Sequence, residues 1–555
     1  MNGAILLTLA LAAFGTGYLF YSRFIEKVLG VDPKRSTPAH TKRDDVDYVP
    51  AHPTVLFGHH FAAIAGAGPI VGPVLAAQFG WASVALWIIL GCIFIGAAHD
   101  MIALFLSVRH EGESIGSVIG SIMGKPGKIL FLLFSWSALI LVVAVFSSQI
   151  ADTFVADPAI ATSSLLFILE AILFGVCVYR LKMPVLWASL VFVPLMFAFV
   201  WIGQLIPLDL TAIFGLSRQA THLVWCLVLL VYCFFASTCP VWILLQPRDY
   251  LNAYLLYVMM VLGILGVFVA HPVLNIDAFA GFSAEGLGGV APLFPILFVT
   301  VACGACSGFH ALVASGTSSK QLDNERGIRP IGYGGMLLEG VLAMIAVIGV
   351  AGTYAGQGEY LEAIAGPQKI PAVAMFAGSI AGFCGKLGIP LEVAKGFMLL
   401  SVSAFLMTTV DAGTRLARFS WQELMPRNVK PLHNMYAGTF LVCMLAAGFL
   451  LGNDAMRASL WTLFASANQL LATLTLTTMT MWFLKNRKPF WFTGIPACFM
   501  MVVSSWALVL KFANGMRTGN LLTACTALFL LLLGSVVVVL AIREVAKCLR
   551  LQPRS

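Results

Sequence analysis

Leu56-Phe-Gly-His-His-Phe-Ala-Ala-Ile-Ala-Gly-Ala-Gly-Pro-Ile-Val-Gly-Pro-Val-Leu-Ala76 is long and apolar enough to cross a bilayer, yet it carries what a plain crossing avoids. Gly66, Gly68 and Pro69 fall near its middle, and His59 and His60 precede them. Proline removes a backbone donor and glycine weakens a helix, so the run is expected to break into two half-helices around Ala67. Non-helical backbone at membrane depth persists only where protein buries it or where it lines a water-filled cavity. The structural alternative is a kinked but continuous helix whose small residues pack against a neighbour.

A second segment, Pro292 to Thr317, repeats the pattern. Inside Cys303-Gly-Ala-Cys-Ser-Gly-Phe-His310 it carries Gly304 and Gly308, again with a histidine close by. Two interrupted hydrophobic segments, one in each half of a chain, point to the binding site of a secondary transporter built from inverted repeats. The substrate-binding candidates are therefore His59, His60, Gly66, Gly68, Gly304, Ser307, Gly308 and His310. The Cys-x-x-Cys spacing of Cys303 and Cys306 lacks the βαβ context of a redox motif, and no second pair completes a zinc set, so no metal site is expected.

Composition supports a membrane protein. The 555 residues are 60% hydrophobic and only 10% charged, with a mean hydropathy of +0.92, whereas soluble domains carry about 25% charge. The apolar runs are unbroken for about twenty residues, the length of a spanning helix, which excludes a transmembrane barrel. The net charge of +8 reads as loop bias that sets orientation, not as a nucleic-acid surface.

Hydropathy windows place crossings near 4–22, 54–78, 82–107, 128–150, 163–180, 183–206, 222–239 and 253–271. The second half adds 293–317, 332–353, 390–412, 435–452, 457–484, 491–511 and 520–542, about fifteen in all. Arg23, Lys27, Lys34, Arg35, Lys42 and Arg43 follow the first span, so the N-terminus is expected outside. Alternation then puts Arg415, Arg418 and Arg427, and a C-terminal tail with Arg543 and Arg554, inside, while 272–291 falls outside. The same parity makes Ile370 to Cys384 an interfacial or re-entrant helix. Glu113 to Met123 is a candidate for its counterpart in the first half.

The fold class expected is an all-α polytopic membrane protein with a leucine-transporter-like five-plus-five inverted repeat and two discontinuous helices. Residues 54–206 form the first repeat and 292–484 the second. Residues 207–291 are an inserted helix pair, 1–53 the first span and its loop, and 485–555 peripheral helices.

Ionisable groups inside spans are costly and are functional candidates by default. The main ones are His59, His60, His99, Asp100, Glu170, His310, Glu339 and Asp411. Adjacent helical residues point about 100° apart, so His59 and His60 cannot both face one cavity. Asp100 beside His99 is the first candidate for proton coupling. Asp411 precedes Arg415 by four residues, a spacing that pairs them on one helix face, as a structural ion pair or an inner gate. Ser401, Ser403, Thr408 and Thr409 offer hydroxyls that can hold sodium or simply pack helices.

Asp47-Tyr-Val-Pro50 followed by Val55 to Pro73 closely resembles the hallmark stretch of the carbon starvation protein A family. Further similar stretches are Cys239 to Asn252, Ser307 to Gln321, Arg329-Pro-Ile-Gly-Tyr-Gly334 and Arg415-Leu-Ala-Arg418. The resemblance implies a bacterial inner-membrane uptake carrier, grouped with the amino acid, polyamine and organocation transporters, taking peptides or pyruvate. At His99 the chain departs from the family pattern, in which glutamine before the aspartate is common.

The expected function is a secondary active importer of small carboxylates such as pyruvate, or of short peptides, during nutrient starvation. It is not an enzyme, has no cofactor beyond a coupling proton or sodium ion, and has no nucleic-acid partner. No ATP-binding loop is visible to power it. The rival from another class is a b-type haem protein using intramembrane histidines. An intramembrane metallohydrolase would need a His-Glu-x-x-His motif, which the sequence lacks.

Overall fold

The computed structural model describes residues 1–44, 48–240, 243–286, 289–366, 369–426, 429–452 and 454–550. Asp47, Val241, Trp242, Arg427 and Arg554 of the sequence reading lie outside the described residues. Among the described residues, twelve helices are long and apolar enough to cross a membrane, thirteen when one bent pair is counted as a span.

In chain order the helices are α1 (Gly3–Leu29), the bent pair α2 (Pro53–Ile64) and α3 (Gly68–Phe79), α4 (Trp81–Arg109), α5 (Ile115–Ala156), α6 (Pro158–Arg180) and α7 (Val185–Leu205). Then come α8 (Arg218–Thr238) and α9 (Leu245–Ala270). A second broken helix follows as α10 (Leu293–Val301) and α11 (308–321), then α12 (Glu325–Thr353), α13 (Ala372–Gly385) and α14 (Leu391–Leu424). The chain closes with α15 (Met435–Leu450), α16 (Asp454–Lys485), α17 (Trp491–Arg517) and α18 (Leu521–Arg550). A hairpin, β1 (Ser283–Gly286) with β2 (Gly289–Pro292), is the one departure from an all-α chain among the described residues.

Both breaks are real. The axes of α2 and α3 differ by 43°, with 65–67 between them. Pro69 sits in the first turn of α3, where its missing N–H costs nothing. In the second break Ala302 has a positive φ of +46, which alanine rarely adopts. The bonds lost there are supplied by α16: Asn468 Oδ1 accepts from the Phe309 N–H at 2.9 Å, and Gln469 Nε2 donates to the Cys306 carbonyl at 2.9 Å. Buried backbone groups need such partners, and two adjacent amides on one apolar helix provide them.

The elements fall into an inverted repeat. The pairing expected of the two repeats sets α2/α3, α4, α5, α6 and α7 against α10/α11, α12, α14, α15 and α16, and α5 packs lengthwise on α14. The short helices also correspond. α13 has 14 residues, about 21 Å of helix, too short to cross, and it is buried against α9 and α14. In the first repeat, Gly124 takes φ +76, so residues 115–123 fold back with Gly116 against Leu132. Lys128 Nζ holds this foot through Ser117 Oγ at 2.9 Å, and Lys485 Nζ from α16 donates to the Ile122 carbonyl at 2.6 Å.

At the same end, α1 and the loop after it are clasped to the start of α12. Glu325 Oε2 accepts from Arg109 at 2.9 Å and from the Asp32 N–H at 2.8 Å, and Arg329 pairs with Glu26 at 2.9 Å. Where α4 crosses α12, Gly332 lies so close that a Cβ there would stand 2.7 Å from Met101 Cα, a contact only glycine permits.

Candidate functional site

The two breaks pack against each other. A Cβ on Gly68 would lie 2.6 Å from Cys303 Cβ, and one on Gly66 would lie 2.5 Å from Thr409 Oγ1 of α14. Ser307 accepts from Asn468 Nδ2 at 3.1 Å, the Gly304 carbonyl accepts the Cys92 thiol at 3.0 Å, and Gly308 is pressed against Leu471. Gly66, Gly68, Gly304, Gly308 and Ser307 therefore shape one close-packed junction.

Beside the junction lies a cluster of ionisable side chains, all fully buried. His310 on α11 contacts Asp100 Oδ2 on α4 through Nδ1 at 2.7 Å. His99 Nδ1 bonds the other Asp100 oxygen at 2.8 Å. On its far side, His310 Nε2 stands 3.2 Å from Glu339 Oε2 of α12. Cys303, His310 and Glu339 each place a donor atom within 4.8 Å of the others, a spacing that suits a metal ion. His310 turns Nδ1 to Asp100, which leaves Nε2 as the ring nitrogen facing Glu339.

The two neighbouring histidines divide as the 100° rule requires. His60 is buried and bonds Ser318 Oγ at 2.7 Å. His59, with 17% of its side chain exposed, stands 3.4 Å from Asp249 and lines a cavity of about 1040 Å³ with Gln246, Tyr250, Tyr254 and Tyr257 of α9. A second cavity, of about 520 Å³, opens at the end with the basic loops between α5, α11 and α14. Ser135, Ser315, Lys320, Ser420 and Glu423 are in its walls.

Asp411 does not pair with Arg415. Its carboxylate takes Arg248 of α9 at 2.6 Å and accepts the Tyr232 hydroxyl at 2.8 Å. Arg415 turns instead to the Ala236 and Cys239 carbonyls at 2.9 and 2.8 Å, the free acceptors at the C-terminus of α8, where a cation is favoured. The hydroxyls considered for sodium are engaged along their own helix: Ser401, Thr408 and Thr409 donate to the carbonyls four residues back. Thr408 also accepts from Asn252 at 2.5 Å.

Sequence reasoning missed Asn468, Gln469 and Arg248. A pair of amides in the apolar run of α16 was the available signal for the first two. Arg248, inside a matched motif, had no visible partner.

A helical bundle whose two broken helices meet break to break, with buried charges beside the junction, has the architecture of a secondary transporter. The chain belongs to the carbon starvation protein CstA family, whose sequence profile matches residues 2–371 and 359–507. The peptide transporter CstA of Campylobacter jejuni is 33% identical, over 92% of this chain and 80% of its own. That of Bacillus subtilis is 30% identical over 99% and 98%. The pyruvate/proton symporter BtsT of Escherichia coli is 31% identical over 90% and 80%. Among solved structures, MhsT in complex with L-phenylalanine is 12% identical and covers 87% of this chain and 99% of its own, with a TM-score of 0.48.

Proposed function

We propose that this chain is a proton-coupled secondary importer of a small carboxylate such as pyruvate, or of short peptides, serving carbon starvation in a bacterial inner membrane. Its N-terminus lies outside and its C-terminus inside. Substrate is held at the junction of the two breaks, with His59, His60, Gly66, Gly68, Gly304, Ser307, Gly308 and His310 as the binding set. Asp100 with His99 forms the coupling site, and Asp411 is the gate residue.

The observation that carries this reading is the 2.7 Å contact between Asp100 and His310, because it joins the first repeat to the second broken helix inside the bundle. A titrating group placed there feels any movement of one repeat against the other. The haem-protein reading needs two imidazoles on opposite sides of a macrocycle. Here His99 and His310 meet on one carboxylate, an arrangement that favours transport.

Purified protein in proteoliposomes, given pyruvate or dialanine with a proton or a sodium gradient imposed separately, tests the proposal. A proton gradient is expected to drive accumulation of one of the two. Uptake driven by sodium alone, or by neither, overturns it.

A further inference from the structure

The buried cluster holds a carboxylate that the coupling site just described does not use. Asp100 lies 32 residues past Gly68, where the second half of the first broken helix begins, and Glu339 lies 31 residues past Gly308, the corresponding start in the second. Each sits on the helix that follows its broken helix. The two acids meet on one imidazole, His310.

Hydrogen bonding separates their roles. Asp100 already accepts on both oxygens, from His99 and from His310. Glu339 is equally buried, yet neither of its oxygens has a hydrogen-bond partner, and its 3.2 Å contact with His310 lacks hydrogen-bond alignment. A buried carboxylate without donors is costly as an anion and is relieved by taking a proton. We infer that Glu339 binds the coupling proton, with His310 as the group that exchanges it and Asp100 as the positioning residue that holds the imidazole.

The shift conserves charge. A protonated Glu339 beside a neutral His310 carries the same total charge as an ionised Glu339 beside an imidazolium, so one proton can move between Oε2 and Nε2 while the set, with Asp100 ionised, stays at one negative charge. The other titratable groups around the set are His99 and Cys92 on α4, His60 on α2, and Cys303 and Cys306 at the second break. None of them supplies Glu339 with a hydrogen bond. Because Asp100 and Glu339 belong to different repeats, tilting one repeat against the other changes which of them His310 approaches. That gives proton exchange a structural link to alternating access.

The inference rests on the proton-coupled reading above, and its test has one arm that needs no transport. Infrared difference spectra of the full-length protein between acid and alkaline pH are compared for wild type, Glu339→Gln and Glu170→Gln. Glu170 is a control of the same chemistry, buried on α6 with neither oxygen bonded. A protonated-carboxyl band that titrates in wild type and in Glu170→Gln but is missing from Glu339→Gln is the expected result. A spectrum unchanged by Glu339→Gln overturns the inference, even if proton-driven uptake is found.

In proteoliposomes, Glu339→Gln is expected to lose at least tenfold in gradient-driven accumulation of pyruvate or dialanine while counterflow stays within a few-fold of wild type. Normal accumulation by Glu339→Gln also overturns it. If wild type shows no proton-driven uptake at all, the transport reading fails, and the infrared arm still decides whether Glu339 is the protonation site. Should Glu339→Gln not fold, Glu339→Asp keeps the carboxyl, and its band is expected to shift rather than vanish; an unshifted band counts against the inference.

Discussion

Arg248 on α9 and Asp411 on α14 form an ion pair of 2.6 Å with 0% and 1% of their side chains exposed, so the two helices are tied together by charge inside the bundle. Removing one partner of such a pair leaves a buried charge without compensation, which costs about 3–5 kcal/mol. Arg248→Met is therefore expected to lower thermal stability in detergent sharply. The double change Arg248→Met with Asp411→Leu should recover much of it, and a double variant as unstable as the single would show that the pair does not act as a unit.

The contact between Gly68 and Cys303 sets the spacing of the two breaks. Gly68→Ala places a methyl 2.6 Å from Cys303 Cβ and forces the junction apart. Loss of uptake with only modest loss of stability is expected, with partial rescue by Cys303→Gly. Wild-type uptake by Gly68→Ala would show that the breaks need not touch.

Asp100→Asn keeps the size and a hydrogen-bonding head but removes the charge that holds His99 and His310. Proton-driven accumulation should fall to background while exchange of substrate across the membrane continues, because exchange does not require release of the proton. Normal accumulation by this variant would show that proton coupling does not need the Asp100 charge to hold His310.

Orientation is checked by chemistry at the two faces. Lys34→Cys and Phe282→Cys are made in a chain lacking the exposed Cys498 and Cys525 and the C-terminal Cys548. Phe282 is 80% exposed. An impermeant thiol reagent applied to intact cells should label position 282 and spare position 34. Labelling of both from one side would contradict the charge-based topology.

Much of the fold could be read from local chemistry. Glycine and proline weaken a helix wherever they stand, so Gly66 to Pro69 and Gly304 to Gly308 announced the breaks, and the shortness of the apolar run at 370–384 announced the 14-residue helix Ala372–Gly385. The separate fates of His59 and His60 followed from helical geometry alone. What the sequence could not disclose were partners brought together by packing. Asp100 and His310 are 210 residues apart in the chain. Asp411 had a plausible neighbour in Arg415 one turn away, and only the position of α9 shows that Arg248 takes it. The hairpin at 283–292 is built around glycines and carries no alternating pattern to reveal it.

The bond from Lys485 to the Ile122 carbonyl joins the last core helix of one repeat to the folded-back foot of the other. A bond that crosses in this way must break if the chain parts there, so a motion that keeps it opens the opposite end, near the hairpin, more widely.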